Sequence, residues 1–295
     1  MKLSIISDQV SQDFLEACKT ISNLGLNTVE IHNVFNKSIE QCNFNEVKII
    51  KEILKKYNLK VSNIASTVFF MAKLYEDYEI SLFNENFHVV NGTIEDHLIA
   101  LENACKIANE LDCKSVRIFP FRFPDNKVNT KFGTDKDLNE IFKHLKKAIS
   151  IAEKYDICLG LENCPYSHCP KGEMTLKLVQ LCNSNYLKCL WDPANSYRAI
   201  KSQVPDNYKN ITLHQEYKLL KDNISHVHIK NYTFDETKVK PYVHVGILEG
   251  DINFAQLLPL LSKEKLHPYL SLEPEVDYDT TIKCIKDAIT LSKIL

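Results

Sequence analysis

No stretch of the 295-residue sequence approaches the ~20 consecutive apolar residues of a membrane span. Its start, Met1-Lys-Leu-Ser-Ile-Ile-Ser7, runs into a strand without a long apolar leader. Both absences lead to the expectation of a cytoplasmic protein with no membrane contact. Positive charge is not in excess either. A formal net charge of −2 gives no general attraction to polyanions, so no nucleic-acid partner is expected. Phosphate-cradling and serine-hydrolase motifs (P-loop, Gly-x-Gly-x-x-Gly, Gly-x-Ser-x-Gly) are missing, which removes support for nucleotide or acyl-enzyme chemistry. The ten cysteines lack regular spacing, and Cys105, Cys158 and Cys189 fall inside expected helices or strands. That pattern suits reduced, buried thiols rather than a disulfide framework. Cys164-x₄-Cys169 with His168 has no second pair, so it reads as a loop with incidental thiols rather than a zinc site. Arginine is scarce: Arg117, Arg122 and Arg198 stand beside 33 lysines.

What the chain does have is four short stretches of one shape. Ile157-Cys-Leu-Gly-Leu-Glu162, Leu187-Lys-Cys-Leu-Trp-Asp192, Ser225-His-Val-His228-Ile-Lys230 and Pro268-Tyr-Leu-Ser-Leu-Glu273 each run through apolar or β-prone residues to a metal-competent side chain. Such runs read as buried parallel strands. Taken alone, a glutamate after an apolar run is ordinarily the start of a solvated loop. Four such groups at four strand ends of one barrel would instead converge at a single mouth. Glu162, Asp192, His228 and Glu273 form an oxygen-rich set suited to one divalent ion: Mn²⁺, Co²⁺, Mg²⁺ or Zn²⁺. His226 alternates with His228 along its strand, and the two imidazoles are expected to face opposite ways.

The rest of the chain agrees. Strands are expected at Lys2–Ser7, Thr28–His32, Lys60–Ala65 and Lys114–Phe119. Helices are expected near Ser11–Leu24, Asn45–Tyr57, Ile94–Leu111 (capped by Thr93), Asp137–Tyr155, Met174–Cys182, Phe254–Leu261 and Asp279–Leu295. Strand–helix alternation without a linker, repeat or low-complexity segment argues for one (β/α)₈ TIM barrel over residues 1–295. Right-handed crossovers put all strand C-termini on one face. The connection Ser66–Glu95, with Phe69, Phe70, Met71, Tyr75, Tyr78, Phe83 and Phe87, is either a lid over that face or a cover for the core.

Leu161-Glu-Asn163, Trp191-Asp-Pro-Ala-Asn195, His226-Val-His-Ile-Lys230, Gly246-x-x-Glu-Gly-Asp-Ile252 and Ser271-Leu-Glu-Pro274 resemble the sugar phosphate isomerase/epimerase family of xylose isomerase-like barrels. The resemblance covers nearly the whole chain and is most specific from Glu162 onward. It implies one divalent metal held by Glu162, Asp192, His228 and Glu273, with the two glutamates also serving as the acid/base pair. It also implies a small sugar substrate and a possible homo-oligomer.

The chemistry is consistent: removing a proton beside a carbonyl calls for a Lewis acid at the enediolate oxygens and a carboxylate on each side of the substrate. Lys230, Asn163, Asn195, Arg117, Glu249 and His32 are the expected substrate-binding residues, though Asn195 is also placed to cap a helix. Two departures stand out. Asn231 follows Lys230 where the family often has Asp, and Asn195 stands where ketose epimerases commonly carry His. The same ligand set would also serve a dehydratase acting on a cyclic polyol ketone. An apurinic-endonuclease-like phosphodiesterase needs further histidines, which the third and fourth strands lack.

Overall fold

The computed structural model describes residues 2–82, 87–127, 129–263 and 269–294. Short apolar runs become eight parallel strands: β1 (Leu3–Ile5), β2 (Thr28–Ile31), β3 (Lys60–Ile64), β4 (Ser115–Ile118), β5 (Cys158–Glu162), β6 (Leu187–Trp191), β7 (Ile224–Ile229) and β8 (Leu270–Leu272). They are hydrogen-bonded in the order β1-β8-β7-β6-β5-β4-β3-β2. A parallel bridge between Ile6 and Glu30 links the two ends. The product is a nearly closed (β/α)₈ TIM barrel, with each strand where the sequence places it. Pro268, the expected first residue of the last strand, lies outside the described residues.

The amphipathic segments form the outer ring: α1 (Phe14–Asn23), α2 (Phe44–Lys56), α3 (Ile94–Glu110), α4 (Asp135–Tyr155), α5 (Gly172–Cys182), α6 (Pro193–Tyr197), α7 (Leu213–Leu220), α8 (Phe254–Lys263) and α9 (Tyr278–Ile294). Thr93 caps α3 as expected, accepting a bond from the Asp96 amide. Both α6 and α7 are additions to the expected set. Thr212-Leu-His-Gln215 is the signal that marks α7. The Thr212 hydroxyl accepts from the Gln215 amide while the Gln215 side chain accepts from the Thr212 amide.

The aromatic connection after β3 covers the core, one of the two roles expected of it. Phe69 sinks into the main core and stacks on Phe121, with centroids 4.6 Å apart. Phe70, Met71, Val89, Phe119 and Cys164 form a separate apolar cluster. Phe87 joins Phe70 to His32, with centroids 5.6 and 4.7 Å away respectively. Phe83 lies outside the described residues.

Barrel interiors are commonly filled by branched apolar side chains. Here the lumen is polar. Contacts between strands that are not neighbours must cross it, and those contacts join Ser4 to Ser62 (2.7 Å) and Glu30 to His226 and His228.

Candidate metal centre

Strand alternation sends Trp191 outward, where its Nε1 donates to Glu216 of α7 at 2.8 Å, and sends the next residue, Asp192, inward. The chain turns into α6 at once. One Asp192 oxygen, Oδ1, caps this short helix by accepting the Asn195 amide at 2.9 Å. Pro193 at the first helical position contributes a preset φ. The other oxygen, Oδ2, is left facing the lumen. It is buried, 3.2 Å from Lys230 Nζ, and has no properly oriented hydrogen bond.

His228 is oriented from below. Its Nε2 lies 3.0 Å from Glu30 Oε1, which turns Nδ1 towards Glu162 Oε1 (3.5 Å) and Glu273 Oε2 (3.6 Å). Nδ1 is also buried without a hydrogen-bond partner. Glu30 accepts two further bonds, from His226 Nε2 at 2.9 Å and Asn63 Nδ2 at 2.7 Å. A register shift between Val29 and Glu30 sets Asn63 opposite Glu30 and makes the last of these possible. Burial resists ionising Glu30, but His228 and His226 outweigh it and hold the carboxyl well below the usual range. Burial likewise favours neutral His228, yet Glu30, Glu162 and Glu273 raise its imidazole well above the usual range.

The His226–His228 expectation needs correction. Residues two apart in a strand share a face, and both rings point into the lumen at Glu30. Glu30 itself has no place among the expected site residues, although a carboxylate inside the apolar run Thr28-Val-Glu-Ile31 is a visible anomaly.

Arg117 lies on β4 beneath the two glutamates. Its Nε and Nη2 donate to the carbonyls of Ser66 (3.0 Å) and Ala65 (2.9 Å). Its Nη1 is shared between Glu162 Oε2 (3.1 Å) and Glu273 Oε1 (3.6 Å). Lys230 Nζ bonds Glu273 Oε2 at 2.7 Å and Glu275 Oε1 at 3.0 Å. Burial opposes ionisation of Glu273, but Lys230, His228 and Arg117 prevail and bring its carboxyl down to about 2.

One ligand atom from each of Glu162, Asp192, His228 and Glu273 lies within 4.8 Å of the others. Bonds near 2.1 Å require separations up to about 4.2 Å, so closing on an ion asks for shifts of a few tenths of an ångström. Two of the four donors are buried and unsatisfied, and three oxygens with one imidazole nitrogen suit a hard or borderline divalent cation. The residues therefore fit a metal.

Residues 18–291 match the model of the xylose isomerase-like TIM barrel. The chain belongs to this family. An uncharacterised protein of Methanocaldococcus jannaschii is 29% identical over 204 residues; the match covers 66% of this chain and 59% of that protein. Among solved structures, a D-tagatose 3-epimerase-like protein superposes with a TM-score of 0.69 at 20% identity, covering 100% of this chain and 98% of the other. The probable 3-DHS dehydratase of Bacillus anthracis gives 0.68 at 16%, covering 98% and 99%. A xylose isomerase-like barrel from Mycobacterium smegmatis in complex with magnesium gives 0.69 at 12%, covering 98% and 96%. At these identities the structural likeness is one of fold.

The remaining expected residues of this family member divide. Asn195 does reach the site, with Nδ2 3.2 Å from Glu162 Oε1. The cap of α6 is Asp192 rather than Asn195. Asn163 is a brace. Its Oδ1 accepts the Asp192 amide at 2.9 Å, and its Nδ2 donates to the Asp192 carbonyl and the Ser196 hydroxyl, which leaves little for a substrate. His32 sits beside Asp8 (3.3 Å) and against Phe87, and no contact with the four ligands is recorded among the described residues.

Glu249 is displaced from its expected place. It closes a turn onto Gly246 and pairs with Lys283 of α9, half-exposed on the outside. The Gly-rich stretch serves Asn231 instead. Asn231 Nδ2 donates to the carbonyls of Ile247 and Ile252, and its Oδ1 accepts the amides of Tyr232 and Ile252. A carboxylate could not make the two donations, which accounts for Asn at this position. A Cβ on Gly250 would stand 2.3 Å from Asn231 Oδ1, so only glycine fits there.

Proposed function

We propose that this protein is a divalent-metal-dependent isomerase or epimerase of a sugar or sugar phosphate. The observation that carries the reading is the pairing of Glu162 and Glu273, both tied to Arg117 Nη1, around the unsatisfied donors His228 Nδ1 and Asp192 Oδ2. A bound divalent ion supplies Lewis-acid polarisation of a substrate carbonyl at these four groups. The two carboxylates are the groups able to take and return the proton on the neighbouring carbon. Glu162 is deeply buried and Glu273 is partly open, with side-chain exposures of 2% and 14%, so the pair spans the depth of the site. Arg117 holds both carboxylates and Lys230 holds Glu273.

The test is solvent-proton exchange. Protein loaded with Mn²⁺, Co²⁺, Mg²⁺ or Zn²⁺ is incubated in D₂O with free and phosphorylated ketoses, and deuterium is sought at the carbon beside the carbonyl. Exchange that disappears in Glu162→Gln, with metal still bound, is the expected result. Release of water along with exchange would make the protein a dehydratase of the same mechanistic start. Two or three zinc ions per chain would point to a phosphodiesterase. Failure to bind any of the four ions would overturn the reading.

A further inference from the structure

The three arginines have three different environments. Arg117 is matched by two carbonyls and two glutamates. Arg122 donates to the carbonyls of Tyr166 and Ser81 and pairs with Asp125 at 3.2 Å. Arg198 has no carboxylate within ion-pair distance among the described residues. Its Nη1 donates to the Tyr232 hydroxyl at 3.2 Å and its Nη2 to the Tyr166 hydroxyl at 2.9 Å. The guanidinium also lies over the rings of Tyr166, Tyr232 and Tyr242, 5.2, 5.3 and 6.0 Å from their centroids. Half-buried and held on three aromatic faces, it has a fixed position and an uncompensated charge.

Its position is at the edge of the metal centre. Arg198 ends α6, the helix that Asp192 begins. Tyr232 follows Lys230 by two residues. Burial pushes its phenol up, and Lys230, Glu275, Arg198 and Asp192 all lie near enough to act on it. The other cation here is already neutralised: Lys230 faces Asp192, Glu273 and Glu275 at 3.2, 2.7 and 3.0 Å. His244 pairs with the remaining oxygen of Glu275 at 3.5 Å. Among these groups Arg198 alone is a cation without an acidic partner. A guanidinium in this state offers paired N–H groups that match a phosphate or a carboxylate.

We infer that Arg198, braced by Tyr166 and Tyr232, binds an anionic group of the substrate, a phosphate or a carboxylate, at the edge of the mouth beyond the four metal ligands. It acts as a specificity-determining residue and takes no part in proton transfer. The inference rests on the proposed metal centre for its geometry, so its test is separate from turnover. Inorganic phosphate and, in parallel, acetate are titrated calorimetrically into Mn²⁺-loaded wild type, Arg198→Gln and Arg198→Lys, with metal content measured in each.

The expected result is binding of one of the anions by wild type, weakened about 10–100-fold in Arg198→Gln and less in Arg198→Lys, at unchanged metal content. Stronger phosphate binding assigns a sugar phosphate, and stronger acetate binding assigns a sugar acid. Tyr232→Phe removes one brace but keeps the ring and the charge; a several-fold loss there supports the inference even if Arg198→Gln fails to fold. Equal binding by wild type and Arg198→Gln, or no binding of either anion by wild type, overturns it. Neither of those results touches the exchange test, and loss of exchange activity would leave this titration readable.

Discussion

Two clusters of acids and histidines meet at β7, and they share His228. In the lower one Glu30 accepts from His226, His228 and Asn63 at 2.7–3.0 Å, while His226 Nδ1 and Asn63 Oδ1 are buried without a hydrogen-bond partner. In the upper one Glu273 is partly open, and His228 Nδ1 and Asp192 Oδ2 have no hydrogen bond. A buried polar atom without a partner costs roughly 1–3 kcal/mol, more when charged. What separates the two clusters is the balance of charge: the lower has one carboxylate held by two imidazoles and acts as a brace, whereas the upper brings three carboxylates round one imidazole, a donor set that fits a cation. A third region limits the rule. Glu173, on the outer side of the barrel, has both carboxyl oxygens buried and unsatisfied beside Glu216 and Lys171. Burial and Glu216 push its carboxyl up to about 9, so it is protonated at neutral pH. Unsatisfied atoms mark a metal site only where several charged donors converge.

This contrast can be broken most sharply at Asp192. Asp192→Asn should reduce bound metal from about one ion per chain to none by elemental analysis, because it removes the charge of the buried Oδ2, which only Lys230 faces among the described cations. Arg117→Met should come next. It leaves two glutamates and two backbone carbonyls without their cation, at a cost of about 3–5 kcal/mol in denaturant unfolding of the metal-free protein. Metal loading should recover part of that loss, since an ion can replace the missing charge.

Glu30→Gln attacks the brace rather than the site. With His228 no longer held by a carboxylate, metal affinity should fall about 10–100-fold in titration calorimetry while stoichiometry stays at one. Loss of stoichiometry instead would make Glu30 a ligand.

Glu173→Gln should act only through pH. The Glu173 carboxyl is raised from 4.5 to about 9 in the folded chain. Its contribution is therefore fully present below pH 4.5 and is lost as pH rises through 9. Thermal melts of the variant should depend less on pH across that window. Glu249→Gln should do least, shifting stability by no more than about 0.5 kcal/mol and leaving metal content unchanged.

The barrel and the four converging side chains were legible because both are written locally. Each strand is a short apolar run, and Glu162, Asp192, His228 and Glu273 stand at or near the ends of theirs. What could not be read depends on contacts across the lumen. Glu30 and His226 are 196 residues apart in sequence, and no local pattern joins them. Likewise nothing in Leu161-Glu-Asn163 shows that Asn163 is taken up by the Asp192 backbone. Glu249 was misplaced for a related reason: its motif positions a loop for Asn231, while its own side chain turns outward to Lys283. The short helix α6 was missed because a five-residue segment shows too little periodicity.

That same helix has a mechanical consequence. Asp192 is its first anchor and Arg198 its last, with Pro193–Tyr197 as a rigid spacer between them. Six steps of helical rise span about 9 Å, and each residue turns the chain by about 100°. The interval between the Asp192 carboxylate and the guanidinium is thus a gauge cut to one length. Lengthening or shortening α6 by a single residue would swing Arg198 away from its aromatic cradle while leaving Asp192 in place. Editing the gauge would move the guanidinium relative to Glu162, Asp192, His228 and Glu273 without altering any of the four.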